Sequence, residues 1–451
     1  MRTRRLAAAA SLAALAALTL ASCTPGAAAS ETAAAIAPEL GDDQRVEIVF
    51  ESYNLSQAGA WTDTVQQLIA EFEAAHPNIS VTGQAPQGTS AANSSYTSSV
   101  QTQLLAGDPP DVAQLTFDSL EFAATQLGAK PLSDIVSAEE LEAAFGGEHP
   151  MHPNARVLAD WDGKTIGMPY VFSTPVLFFN ADALAAAGIE DPDFSTWDSV
   201  EAIAQQVTAA TGKPSLDVNC VVTGGNWCMQ GLFRSNGAQV LSDDRSTIEF
   251  GSEQAVDTVE RFARMTEDGV LRNVDAAAQM EGLAKGDVAM VLTTSAVQGM
   301  LLQGAEAGGW TLDAAAMPGF GDAEAVPTNS GSALFVLSED PAEQRASWEF
   351  IEFMTSDRAY ELITSQIGYL PLRPSLTEEG GALADWLAAN PLAQPNLDQL
   401  DRLEPWVSYP GNSYAQVDEL LAEAIENVVF YGEPAEETMR DAAERAQALI
   451  E

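Results

Sequence analysis

Apolar and polar positions alternate over "VEIVFES", Val46 to Ser52, with the period of two that a half-buried strand requires. Val65, Leu68, Ile69 and Phe72 then recur at i, i+3, i+4 and i+7, so strand gives way to helix. "HPNISVTGQ" stops that helix at a proline and opens a second strand. Val100, Leu104 and Leu105 mark a second helix that "AGDPPD" ends, and "DVAQLTF" reads as a third strand. Repeated strand-helix-strand units predict an α/β fold with a mainly parallel sheet covered by helices.

Further along, "MPYVFSTPVLFFN" (Met168 to Asn180) is an apolar, proline-punctuated strand that leads into "ADALAAAGI" and "STWDSVEAIAQQV", where Ser195 or Thr196 is placed as an N-cap. An amphipathic helix from Glu253 to Met265 follows, then strands in "GDVAMVLTTS" and "SGSALFVLS". A helix from Pro341 to Met354 turns Trp348, Phe350, Ile351 and Met354 inward. No fixed period repeats, which excludes solenoids and propellers and disfavours a structural adhesin.

The N-terminus has a different pattern. Arg2, Arg4 and Arg5 form a basic head, and Leu6 to Leu20 is apolar apart from Ser11 and Thr19. The run is shorter than the ~20 residues a membrane span needs and matches an export signal. Leu20, Ala21, Ser22 and Cys23 resemble the bacterial lipobox, which implies cleavage after residue 22 and a lipid on Cys23 that anchors an exported protein to the outer face of the membrane. Residues 23–44, rich in small and polar types, read as a flexible linker, with the folded part starting near Val46. What remains is long enough for two or three lobes.

Charge narrows the partners. The chain carries 20 Lys+Arg against 65 Asp+Glu, a formal charge of −45 at pH 7. A field of that sign disfavours nucleic acid and anionic membranes, and it makes any single carboxylate weak support for catalysis. Cys220 and Cys228, in "VNCVVTGGNWC", are either joined in a local disulfide, which export favours, or buried as two free thiols. Catalytic and metal motifs are absent. The "GKT" of Gly163 to Thr165 has Leu158 where a phosphate loop needs its first glycine, and the "GFG" of Gly319 to Gly321 has Glu324 where a dinucleotide fingerprint needs its third. His149 and His152 share a proline-containing loop without a third ligand. No enzyme, metal or cofactor is expected.

Aromatics and small polar residues at strand ends suit a sugar cleft, in which rings cover the apolar face of a pyranose and amides, hydroxyls and carboxylates bond its hydroxyls. Trp348 and Trp197 belong to helices and read as core. Trp227 in "GGNWC", Tyr409 in "PWVSYPGNSY" and Tyr369 in "IGYLPLRPS" sit in turn-rich segments and are candidates for stacking.

Six stretches taken in order, "DGKTIGMPY", "STPVLFFN", "TWDS", "KGDVAMVLTTS", "SGSALFVLS" and "GYLPLRPS", resemble the extracellular solute-binding proteins of bacterial ABC importers, in the cluster of maltose and glycerol-3-phosphate binders. The resemblance implies a two-lobed periplasmic-binding-protein-like fold of type II that closes about a hinge. Lobe one would take 45–175 plus 330–366 and lobe two 176–329 plus 369–451, with crossings near Ser173, Ser330 and Tyr369.

By the same resemblance, Ser173, Ser295, Gly331 and Tyr369 match ligand-binding positions. Asn93 fills the place of a family tyrosine with Tyr96 nearby, and Phe117 fills that of a glutamate with Asp118 next to it. Tyr409 stands where the glycerol-3-phosphate binder has its phosphate-bonding arginine. That loss favours a neutral, hydroxyl-rich ligand, with Arg373, Arg234 and Lys164 left as cations able to reach a cleft. The function implied is a tethered, monomeric carbohydrate receptor serving a membrane permease. Alternatives are a glycerol-3-phosphate, glycerophosphodiester or other polyol binder, and, less favoured, a surface-anchored glycoside hydrolase, which would need two suitably spaced carboxylates in the cleft.

Overall fold

The computed structural model describes residues 36–41, 43–88 and 94–451; Cys23, Asn93 and the expected signal segment lie outside them. In the first lobe β1 (Val46–Glu51) pairs in parallel with β2 (Ile79–Gln84) and with β3 (Val112–Thr116). A two-stranded hairpin of β4 (Asp160–Trp161) and β5 (Lys164–Thr165) precedes β6 (Gly167–Ser173). The second lobe holds β7 (Pro175–Asn180), β8 (Leu216–Val218), β9 (Met290–Thr294) and β10 (Leu312–Ala316). β11 (Ser330–Val336) returns to the first lobe.

The sheets run β2-β1-β3-β11-β6 and β10-β7-β9-β8. The expectation of mainly parallel sheets is corrected. β11 lies antiparallel to β3 and β6, and β7 antiparallel to β9 and β10. The cause is the path of the chain. β6 and β7 form one near-continuous run that leaves one sheet and enters the other, so strands that arrive later by the opposite route must lie against it in reverse.

Helices cover both sheets because their apolar stripes find no other cover. Phe72 of helix Ala60–Ala75 and Phe350 of helix Pro341–Met354 meet edge to face at 5.1 Å, and Phe350 meets Phe50 of β1 at 5.0 Å. In the second lobe Thr196 caps helix Trp197–Thr211 through a box shared with Ser199. Trp197 is buried edge to face on Phe262 at 4.8 Å. Helices Tyr414–Tyr431 and Ala435–Ile450 pack on helix Glu253–Glu267 of the same lobe.

Two boundaries differ from the sequence reading. Residues ahead of Val46 already belong to the folded body: Ala37 is buried, its N–H donates to the Ile135 carbonyl at 2.9 Å, and Glu39 lies 3.4 Å from Arg345. A small apolar residue in an alanine-rich stretch gives no periodic signal, so this tie was invisible. The last crossing falls after Tyr369. Leu370 still bridges Phe172, and Arg373 donates to the carbonyls of Ala144, Gly146, His149 and Thr355, all in lobe one. By the short turn Pro391–Ala393 the chain has reached β10, and helix Gln394–Asp398 packs on β7 and β10.

Candidate functional site

The C-terminal ends of β1 and β3 open toward the second lobe, the position where open α/β sheets take ligands. After β1, Ser52 accepts a bond from the Asn54 N–H and starts a turn at Tyr53 that sets the ring of Tyr53 beside that of Tyr96, stacked at 4.9 Å. Burial raises the Tyr53 hydroxyl to about 12, and it donates to Ser332 Oγ at 3.1 Å. Trp61, at the start of the next helix, meets Tyr369 edge to face at 5.0 Å. After β3, Thr116, Phe117 and Asp118 complete this wall.

The hinge supplies the floor. Ser173 pairs with Ser330 in the β6–β11 register, and its Oγ accepts from Thr294 Oγ1 at the end of β9 at 2.7 Å. One hydroxyl pair thus ties the ends of the two sheets. Gly331 has φ +123°, and a Cβ there would lie 2.1 Å from the Val171 carbonyl oxygen, so only glycine lets β11 approach β6 this closely. Asn329 is 2 % exposed; its Oδ1 accepts from the Trp406 N–H at 3.0 Å, while its Nδ2 has no partner among the described residues.

The second-lobe wall is the loop between Cys220 and Cys228, which are joined in a disulfide with Cα atoms 4.9 Å apart. Gly225 packs where a Cβ would strike the Asn219 carbonyl, and Trp227 Nε1 donates to Asn219 Oδ1 at 3.2 Å. The indole is fixed by its own loop. Asn226 Nδ2 donates to Asp418 Oδ2 at 2.5 Å, which joins the loop to helix Tyr414–Tyr431.

These walls enclose about 180 Å³. Among the described lining residues none is lysine, arginine or histidine; two are acids, Asp118 and Asp418. Burial first and the neighbouring Asp118 charge second push the Asp418 carboxyl up to about 8, against the Asn226 bond. Burial likewise raises Asp118, opposed by the Thr116 hydroxyl and by backbone N–H groups. Asp418 Oδ1 has no partner among the described residues.

Of the residues singled out from sequence, Tyr96, Phe117, Asp118, Ser173, Trp227, Gly331 and Tyr369 line the cavity. Ser295 and Tyr409 do not. Ser295 is buried behind the wall in a short helical turn that presents Thr294 and Ala296 instead. Tyr409 is 2 % exposed and turns its ring edge to Phe250. Val407 is clamped by both ends of the Gln230 amide, and the turn this sets brings Trp406 to the cavity.

Tyr53, Gln57, Trp61, Asn226, Asn329 and Asp418 were also missed. Asp418 was hidden among 65 acids, and the others lie outside the matched stretches. Arg373 is consumed by backbone carbonyls, Arg234 is paired with Glu404, and Lys164 is exposed in the β4–β5 hairpin. His149 and His152 bond Ser375 and Asp401, and among the described residues no three potential ligands are grouped for a metal.

The family described as bacterial extracellular solute-binding protein matches residues 67–395. A glycerol-3-phosphate-binding periplasmic protein of Brucella melitensis is 24% identical over 304 residues, 64% of this chain and 68% of the relative. An arabinooligosaccharide-binding protein of Bacillus subtilis is 33% identical over 88 residues, 18% of this chain and 20% of its own. Among solved structures, the UgpB protein of Mycobacterium tuberculosis in complex with glycerophosphocholine superposes with a TM-score of 0.76 at 19% identity, covering 90% of this chain and 98% of that one. A cyclic maltosyl-maltose binding protein of Arthrobacter globiformis gives 0.74 at 19% identity, covering 90% and 99%.

Proposed function

We infer that this chain, which belongs to the bacterial extracellular solute-binding proteins, captures a hydroxyl-rich ligand of the carbohydrate class and hands it to an ABC permease. The observation that carries the ligand class is the wall itself. Trp61, Trp227, Trp406 and Tyr96 offer ring faces and edges, and the unpartnered Asn329 Nδ2 and Asp418 Oδ1 await polar atoms. Apolar faces next to unsatisfied donors and acceptors suit a ring that has hydroxyls on its rim and apolar C–H faces. Ligand between the lobes favours their closed arrangement, the form a permease can read.

The same wall argues against phosphate. An anion brought to two acids without a cation among the described lining residues would be buried uncompensated. A glycerol-3-phosphate or glycerophosphodiester reading is the alternative, because the relative from Brucella melitensis is named for glycerol 3-phosphate and the structure from Mycobacterium tuberculosis is a complex with glycerophosphocholine. Lipid attachment at Cys23 completes the proposal by holding the receptor at the membrane. A thermal-shift and calorimetric screen of mono- and disaccharides, polyols and glycerophosphodiesters tests the reading. A saccharide that raises the melting temperature without being hydrolysed supports it, and response to phosphorylated ligands alone overturns it.

A further inference from the structure

We propose that the cleft selects a ligand bearing a positive charge, an ammonium group on a sugar or polyol, and that Asp418 with Asp118 is its counter-charge. The inference rests on the reading of the cleft as a binding site for hydroxyl-rich ligands.

Four observations converge on it. Both acids line one small cavity, on opposite lobes, and among the described residues neither has a lysine or arginine partner. Two arginines of the second lobe are already committed elsewhere: Arg245 is held on Glu121, 2.5 Å away, and Arg234 on Glu404. Among the described residues the one hydrogen-bond partner of the Asp418 side chain is the neutral Asn226 amide, which leaves Oδ1 enclosed and unbonded there. Aromatic side chains share the lining with small and amide residues, and Trp61, Trp227, Trp406 and Tyr96 bring π-systems that attract an ammonium or quaternary ammonium ion.

A second, independent sign that the wall is incomplete is Asn329, 2 % exposed, whose Nδ2 lacks an acceptor and suits a ligand hydroxyl. In the empty cleft burial and the Asp118 charge keep the Asp418 carboxyl protonated; an ammonium ion between the two carboxyls favours the ionised form and pairs with it, which a neutral ligand does not do. Discrimination then comes from the protein's own unbalanced charge, which rewards one ligand and penalises anions.

The test is calorimetric titration of the whole mature protein with D-glucosamine, D-glucose, glycerophosphocholine, sn-glycerol 3-phosphate and maltose. The expected result is that glucosamine binds at least about tenfold more tightly than glucose. Asp418→Asn should bring the two together, with Asp118→Asn as the second variant should the first not fold. Glucose binding as well as or better than glucosamine overturns the inference and leaves the carbohydrate reading standing. Glycerophosphocholine alone binding overturns the carbohydrate reading and supports selection of the ammonium group. Glycerol 3-phosphate binding best overturns both. Maltose binding alone of the five overturns the inference only, and no binding by any overturns both.

Discussion

Arg245 of the second lobe reaches Glu121 of the first, Nη2 to Oε2 at 2.5 Å, with its guanidinium 4.7 Å over the ring of Trp161. The same guanidinium donates to the Ser408 carbonyl, and the other carboxylate oxygen of Glu121 accepts from the Gly411 N–H at 3.1 Å. Arg245 does this from a turn with φ +61°, a conformation that side chains other than glycine's enter at a cost. The contact ties one lobe to the other. Arg245→Ala should loosen it and weaken ligand binding about two- to fivefold, the scale of a partly exposed ion pair with a cation–π contact. Small-angle scattering of the unliganded variant should give a larger radius of gyration than the parent. An unchanged radius and unchanged affinity would show that the tie contributes nothing to closure.

The disulfide closes a loop that carries Trp227 and Asn226 into the cavity wall. Replacing both Cys220 and Cys228 by serine should lower stability by about 2 to 3 kcal/mol, as expected for so short a closed loop. Ligand affinity should fall further than Arg245→Ala makes it fall, because Asn226 would lose its fixed approach to Asp418. Thermal unfolding and titration of the double variant measure the two effects separately.

The strands and long helices were legible because each buries one face, which imprints a period of two or 3.6 on the chain. Val46, Ile48 and Phe50 of β1 and the stripe Val65, Leu68, Ile69, Phe72 are buried where that pattern puts them, and Glu51 departs from it by being buried on the polar side. Sheet order was not legible, since the antiparallel placement of β11 depends on the route between lobes and not on local pattern. In the site, Ser173 and Gly331 could be found through the resemblance to a known family, and Tyr369 through that and through its place in a bend beside Gly368 and Pro371. Trp406 and Asp418 could not. Their roles follow from tertiary bonds to Asn329, Gln230 and Asn226 that leave no trace in spacing.

Trp406 and Tyr409 are three residues apart and should separate binding from stability. Trp406 is only partly buried and lines the cavity, so Trp406→Ala should weaken ligand binding by roughly 1 to 3 kcal/mol with a small change in melting temperature. Tyr409 is in the core against Phe250, so Tyr409→Ala should destabilise by about 3 to 5 kcal/mol whatever the ligand. Reversal of this pattern, with Tyr409→Ala folding normally and failing to bind, would return the ring to the ligand.

The pH dependence of the unliganded protein should report Asp418. Its carboxyl titrates at about 8 in the folded chain against 3.8 ordinarily, because burial and the Asp118 and Glu419 charges oppose ionisation while only the Asn226 amide favours it. Tyr409 and Tyr414 are nearby, and both hydroxyls are themselves raised by burial and by the Asp418 charge, so neither supplies a compensating ion. The folded state therefore holds a proton that the unfolded state releases between those two values. Linkage then makes this group's contribution largest at acid pH and has it fall as pH rises through that window, until it is lost above the folded value. Other carboxyls act in the opposite direction, such as Glu140, which Arg345 holds down at about 2, so the contribution must be read as a difference between variants. Asp418→Asn keeps the shape and removes the proton. The gap in melting temperature between variant and parent should move in the variant's favour from about pH 5.5 to about pH 8.5. A gap that stays constant over that range would mean that Asp418 is ionised throughout, with a cation beside it.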